Sequence, residues 1–291
     1  MGLVLTLLVG GVTYQLLANN QRVSRGQNAR VSLQDNVRAG ALIAANELRE
    51  IGYDSVPAGA GMAAIAVTPS TDLLLLQPGK IQYRAMRGFG VTCATPTSAQ
   101  IKLRSSLYYG SRNPVANDSV TVYVEKAANT LADDAWVRAR VNSVAAGNCT
   151  DGGTAIVLNL LWPNPPGVGG TAAANMLEGG PVRVFDVMEM KYYASSGKMW
   201  MGMRSITSGA ANPEPVVGPL SDSTTGPRGL TFQYLNNAGA DASATPNNVR
   251  TVLVTLRGIT DERVRGSGAK AGKIDTLSLQ TRVALRNTLR P

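Results

Sequence analysis

The sequence predicts an α+β chain, with one long N-terminal helix followed by an antiparallel, strand-rich head. Three observations lead there. Apolar residues recur every three or four positions up to about residue 51, nine later segments are rich in β-branched and apolar residues, and turn formers (31 Gly, 15 Pro) separate those segments. A helix followed by a run of strands is an α+β arrangement, in which the amphipathic helix needs a sheet face to cover it. The 291 residues are 44% hydrophobic and 16% charged, enough to bury a core and unlike a disordered or polytopic membrane chain. The expected division is a helix over 1–52 and a head over 53–291.

The helix begins in an apolar run, Gly2 to Ala18, with no charge before Arg22. Eighteen helical residues span about 27 Å, close to the roughly 30 Å of a bilayer's hydrocarbon core. This run therefore reads as a membrane anchor. A basic n-region and a small-residue cleavage site, which a signal peptide requires, do not appear in it. The pattern continues through Ala29, Leu33, Val37, Ala41, Ala44, Leu48 and Ile51, which share one face. Arg22, Arg25, Arg30, Asp35, Arg38, Glu47 and Glu50 fall mostly elsewhere, and Gly52 supplies a stop. Leu33, Val37, Ala41, Ala44, Leu48 and Ile51 are the expected packing residues. Gly10-Gly11 would let a neighbouring helix approach closely or the helix unwind locally.

The head follows an Ala/Gly-rich segment, Ala58 to Pro69, read as loop. Strands are expected at Lys80–Arg87, Ser119–Glu125, Trp136–Val144, Thr154–Leu161, Val182–Tyr193, Lys198–Ser205, Leu230–Asn236, Val249–Ile259 and Thr276–Asn287. Ser195-Ser196-Gly197 between two of them reads as a hairpin turn. Met199, Met201 and Met203 alternate along one strand and Met188 and Met190 along its partner, a pattern read as core packing rather than a soft-metal site. Long loops are expected around Pro163–Asn175, Ser208–Arg228 and Asn236–Asn248.

Chemistry-bearing patterns are sparse. With no His the chain cannot run Ser-His-Asp or Cys-His catalysis. Cys93 and Cys149 are too few for a Cys-only zinc site. They suit one disulfide made in an oxidising compartment, the alternative being two unpaired thiols. Gly266 to Ile274 is not a P-loop, since Ile274 stands where Ser or Thr would bind magnesium, and Ser267-x-x-Lys270 lacks its companion motifs. Both fall in an expected hairpin loop. Asn236, Asn237 and Asp241, and Asp133-Asp134, do not spell a calcium loop and read as solvated turns. No catalytic residue, metal or cofactor is expected. The +9 net charge concentrates late: nine basic residues against three acidic ones follow from Arg250 onward. Arg263, Arg265, Lys270 and Lys273 are candidate anion contacts. Without Phe or Trp in this stretch to stack bases, acidic protein neighbours or solubility explain the charge better than DNA.

Three stretches carry a resemblance. They are Leu33-Gln34-Asp35-Asn36, then Leu48-Arg49-Glu50-Ile51-Gly52-Tyr53 closing the amphipathic helix, then Val283-Ala284-Leu285-Arg286-Asn287 near the chain end. In these and in its apolar start the chain resembles type IV pilin-like proteins of the PilW minor-pilin type. The resemblance covers the first 53 residues well and the last 110 or so loosely. It implies a non-enzymatic subunit that initiates or caps a type IV pilus. Its partners would be other pilins or pseudopilins through the helix, and the inner membrane. It also implies a basic leader, a Gly and a Phe-Thr-Leu-x-Glu stretch, none of which is present from Met1 onward; a start upstream of Met1 is expected. Arg22, Arg25 and Arg30 after the span would by themselves keep the head in the cytoplasm. The disulfide reading and the resemblance instead imply a periplasmic head, extracellular after assembly. Two other readings are a large pseudopilin of a type II secretion tip and a membrane-anchored periplasmic module binding DNA or a surface polymer.

Overall fold

The computed structural model describes residues 2–49, 51, 72–97, 99–124, 135–161, 176–224, 226–264 and 272–285, without the side chains of 4–8 and 135. The chain is α+β. Helix α1 (Gly2–Arg49) is unbroken, and thirteen strands follow among the described residues. They are β1 (Leu73–Gln77), β2 (Lys80–Val91), β3 (Gln100–Arg104), β4 (Tyr109–Gly110), β5 (Ser119–Val124), β6 (Ala135–Asn148) and β7 (Thr154–Leu161). After them come β8 (Pro181–Ser195), β9 (Lys198–Ser205), β10 (Glu214–Leu220), β11 (Leu230–Leu235), β12 (Thr251–Ile259) and β13 (Thr276–Ala284). The expected boundary at residue 52 and the expected loop Ala58–Pro69 lie outside the described residues.

Every strand pair is antiparallel, and β8 organises the sheet. One of its edges pairs with β2 from Pro181 to Lys191. The other pairs with β5 through Val182–Phe185 and with β9 through Met188–Ser195. A fifteen-residue strand is long enough to serve two partners in succession, so the sheet divides into two lobes around it.

In the first lobe the order runs β8, β5, β6, β7, β3. The ring then closes, because Thr92, just after β2, bridges Leu103 of β3, and the Cys93 N–H donates to Lys102 O at 2.9 Å. Alternate residues point inward, as a two-residue period requires. Ile101, Leu103, Val120, Val122, Val141, Leu158, Val182 and Val184 fill the interior. Cys93 and Cys149 form a disulfide beside this closure, S–S 1.99 Å across a separation of 56 residues. It ties the end of β2 to the end of β6. In the chain-entropy model a loop of this length contributes about 4 kcal/mol by restricting the unfolded chain.

The second lobe is β9, β10, β12, β11 and β13, and it packs on α1 through β10, β12 and β13. Its far strand returns towards the β1–β2 turn: the Phe232 N–H donates to Pro78 O at 2.8 Å and Tyr234 Oη to Gln77 O at 2.9 Å. The β8–β9 hairpin turns at Ser196 (φ 51°) and Gly197 (φ 74°), the left-handed pair that matches the twist of the flanking strands. Met190 and Met201 are buried in the core, with Met188, Met199 and Met203 packed against it, so the methionine stripes line the helix seat.

Four strands depart from expectation. β1, β3 and β4 were not anticipated, and β10 runs through the segment Ser208–Arg228 expected as a loop. β10 carries Pro215 and Pro219, which cannot donate to a ladder, and its pairing with β9 shifts register twice.

Candidate functional surface: the projecting helix and its seat

Forty-eight residues at 1.5 Å per residue make α1 about 72 Å long. The helix has two halves with different surroundings. Leu33, Val37, Ala41, Ala44 and Leu48, with Ile51 just beyond the helix end, are buried in one cluster with Met190, Met201, Val217, Leu220, Leu256 and Val283. These are the six residues expected to pack, together with Ala45. Burying a Leu, Val or Ile side chain contributes about 1.5–3 kcal/mol, so four large ones hold the helix firmly. In the other half Leu3 (76% exposed), Val9, Val12, Tyr14, Leu16 and Leu17 all face solvent.

The seat depends on two glycines. A Cβ added at Gly40 would lie 2.9 Å from Val217 Cγ1, and one at Gly258 would lie 2.5 Å from Val37 Cγ2 and 2.6 Å from Leu33 Cδ1. Helix and strand approach closely because neither carries a side chain there. An isolated Gly within a β-branched run was the available signal for Gly258, since such glycines mark close backbone approach.

Polar contacts set the helix's rotation and depth. Tyr83 Oη donates to Glu47 Oε2 at 3.0 Å and Arg87 Nη2 to the same oxygen at 3.2 Å, anchoring the C-terminal end on β2. Asn36 Nδ2 donates to Gly218 O at 3.4 Å. Arg30 Nε meets Asp275 Oδ2 at 2.6 Å, an exposed pair of the kind that contributes about 0.2–1 kcal/mol. The three stretches that carried the family resemblance thus have structural roles. Leu33 and Asn36 touch the head, Leu48 and Ile51 are buried, and Val283 and Leu285 complete the core against β12 and the helix.

Among the residues whose side chains are described, no helix is long and apolar enough to cross a membrane. Val4, Leu5, Leu7 and Leu8 lie outside that set.

Two buried carboxylates of the head, Asp118 and Glu189, are held by arginine. Asp118, fully buried, accepts two hydrogen bonds from Arg112, at 2.6 and 2.7 Å, and one from the Val115 N–H. The side-chain hydrogen bond to Asp118 holds the Arg112 guanidinium above its usual pKa. Burial pushes the neighbouring Tyr108 hydroxyl up to about 12. Glu189 is buried between Gln82 (2.7 Å) and Arg204 (2.8 Å). Burial pushes its carboxyl up, but these hydrogen bonds prevail and leave it below the usual glutamate range. Such networks fix β-strand positions.

Among the described residues no three His, Cys, Asp or Glu side chains converge on a metal position. Asn236 Oδ1 accepts the Ala238 and Ala240 N–H groups, and Asp241 accepts from Ser243, so this segment is a self-bonded turn. Asp133-Asp134 lie outside the described residues.

The candidate anion contacts are divided. Arg265 and Lys270 lie outside the described residues. Lys273 is joined to Val264 by a two-way backbone bridge, N···O 2.7 and 2.9 Å, which places it behind Arg263. Arg263 faces a cavity of about 270 Å³ whose other wall is α1, at Arg22 and Arg25. The clustering of late charges in the sequence pointed to Arg263; nothing in it pointed to helix arginines some 240 positions earlier. Two other basic residues of the tail are engaged within the chain. Arg250 Nη1 donates to Asn247 O and Arg257 Nη1 to Arg228 O, both at 2.9 Å.

Comparison of the chain with protein families, with curated proteins and with solved structures finds no match.

Proposed function

We propose that this chain is a structural, non-enzymatic filament subunit of the type IV pilin kind: a minor subunit that initiates or caps fibre assembly from the bacterial inner membrane. One observation carries the reading. A single helix is seated in a β-rich head by its second half and projects an apolar first half, with Leu3, Val9, Val12, Leu16 and Leu17 uncovered. An apolar helix end in water is unfavourable, at about 25 cal/mol per Å², and needs either acyl chains or other apolar helices around it. A subunit that passes from bilayer to a bundle of like helices keeps that surface covered at both stages. Gly10 and Gly11 lie in this projecting half with open space around them, where a neighbouring helix could approach closely. The disulfide supports a head on the oxidising side of the membrane.

The minor-subunit part of the proposal rests on bulk. A fibre of one repeated subunit requires each head to fit the same neighbours on every side. A head of some 240 residues in two lobes is more easily accommodated at a tip or initiating complex, where one side is open. Deleting the chain should then cut fibre number sharply, while sheared fibres from the parent cell contain it only in trace amounts. Its recovery as the dominant protein of sheared fibres would refute the minor-subunit reading.

A further inference from the structure

We propose that the cavity between α1 and the loop after β12 binds the phosphate of an anionic phospholipid headgroup. Arg22, Arg25, Gly26 and Ala29 form its helix wall, and Glu262 and Arg263 the loop wall. Positions 22, 25, 26 and 29 fall on one helix face, so both helix arginines are directed at the same space as Arg263. Three guanidinium groups therefore meet one carboxylate. Among the described residues none of these four charged side chains makes a hydrogen bond or ion pair. Arg30, a turn further along, differs: Asp275 already neutralises it. A pocket with two net positive charges and several free guanidinium forks fits a phosphate, which those forks bind in bidentate fashion.

The site is built in advance of any ligand. Val264 is buried against Gly26, where an added Cβ would lie 2.9 Å from Val264 Cγ1. The backbone bridge between Val264 and Lys273 fixes the loop from behind. Arg263 is thus held against the helix rather than carried on a free chain.

The depth selects a lipid as the source of the phosphate. This inference rests on the proposal that the projecting helix sits in a bilayer. The apolar run ends at Ala18, so Arg22 and Arg25 lie about 6 and 11 Å further along the axis. The headgroup layer on each side of a bilayer is about 5–8 Å thick, and long arginine side chains reach back towards it. The head's own arginine would meet the membrane surface at that level.

The test uses the full chain, diluted from detergent and floated with neutral phosphatidylcholine vesicles or with vesicles also containing phosphatidylglycerol. Wild type should prefer the anionic vesicles. R22Q, R25Q and R263Q should each lose about fivefold in affinity for them. Binding to neutral vesicles should be unchanged, and so should both measurements for R140Q and R282Q. G26L, which keeps every charge but forces the loop away from the helix, should lose the preference too. If R22Q and R25Q weaken binding while R263Q and G26L match wild type, the attraction is diffuse and the site is overturned. Equal binding of wild type to both vesicles overturns the site and leaves the membrane seat of the helix standing. Failure to bind either vesicle overturns both. Saturable binding of inorganic phosphate without vesicles, lost in R263Q and with no preference for anionic lipid, would assign the site to a free anion and overturn the lipid source.

Discussion

Replacing Gly258 by alanine drives a methyl group into the helix seat. Gly258 lies in β12 opposite Leu220 on one side and Leu277 on the other, so the strand cannot easily retreat. The new Cβ would stand 2.5 Å from Val37 Cγ2 and 2.6 Å from Leu33 Cδ1. Carbon atoms pack at about 3.5–4 Å, so the helix must shift by about 1 Å or both side chains must change rotamer. Val37 in a helix has essentially one rotamer, which leaves the shift as the main response. Overpacking of this kind costs about 1–3 kcal/mol. The reduced freedom of the unfolded chain offsets about 0.4–1 kcal/mol of it. A net loss of about 1–2 kcal/mol, at about 2–4 °C per kcal/mol for a domain of this size, lowers Tm by about 2–8 °C. Thermal unfolding of the full chain in detergent measures this directly. G258A combined with V37A removes the Val37 part of the clash, leaving that with Leu33 Cδ1, so the pair should be coupled by about 0.5 kcal/mol or more in a double-mutant cycle. A G258A melt within a degree of wild type, or an uncoupled cycle, would refute the close approach of α1 to β12.

Three further outcomes follow from the head. Non-reducing mass spectrometry of tryptic peptides should find Cys93 joined to Cys149, and C93A/C149A should lose up to about 4 kcal/mol of stability; two freely alkylated thiols in native protein would contradict the closure of the first lobe. R112A leaves the buried Asp118 carboxylate unpaired and should cost about 3–5 kcal/mol in denaturant unfolding, with R112K recovering only part because the two-pronged geometry is lost; a loss under about 1 kcal/mol would contradict the pairing. The depressed Glu189 carboxyl contributes stability that is fully present above its ordinary pKa of 4.5 and is lost as pH falls below it through the folded-state value. E189Q should therefore flatten the acid limb of the stability profile below about pH 4.5, and an unchanged limb would show that Glu189 is not the group responsible.

The helix was legible because its apolar spacing is regular over many turns. The packing face from Leu33 to Ile51 and the apolar run before Ala18 were read from period and charge alone. The β-branched and apolar runs that became β5, β7 and β9 were equally visible. β1 was not, because Leu73–Leu76 is uniformly apolar and has no period. Five-residue β3 and two-residue β4 were too short to stand out, and β10 was hidden by its prolines. What no local pattern could give is which distant segments meet. The double use of β8, the ring closure at Thr92 and Leu103, and the meeting of Arg22 and Arg25 with Arg263 are all contacts across long sequence separations. The basic tail is visible in the sequence, but of its candidate contacts it is Arg263 that meets the helix arginines, which no local pattern indicates.

A filament subunit of the proposed kind requires the projecting half of α1 to be covered by other apolar helices during assembly. A photo-crosslinking amino acid at Val12, which is exposed and far from the head, tests it in cells that make the fibre. Adducts with the N-terminal helices of other filament subunits are expected, and they should be lost when assembly is blocked. The same adducts should not form from Arg140, on the surface of the first lobe. Adducts from Val12 that join only proteins unrelated to the fibre, or a subunit pattern unaffected by blocking assembly, would contradict it.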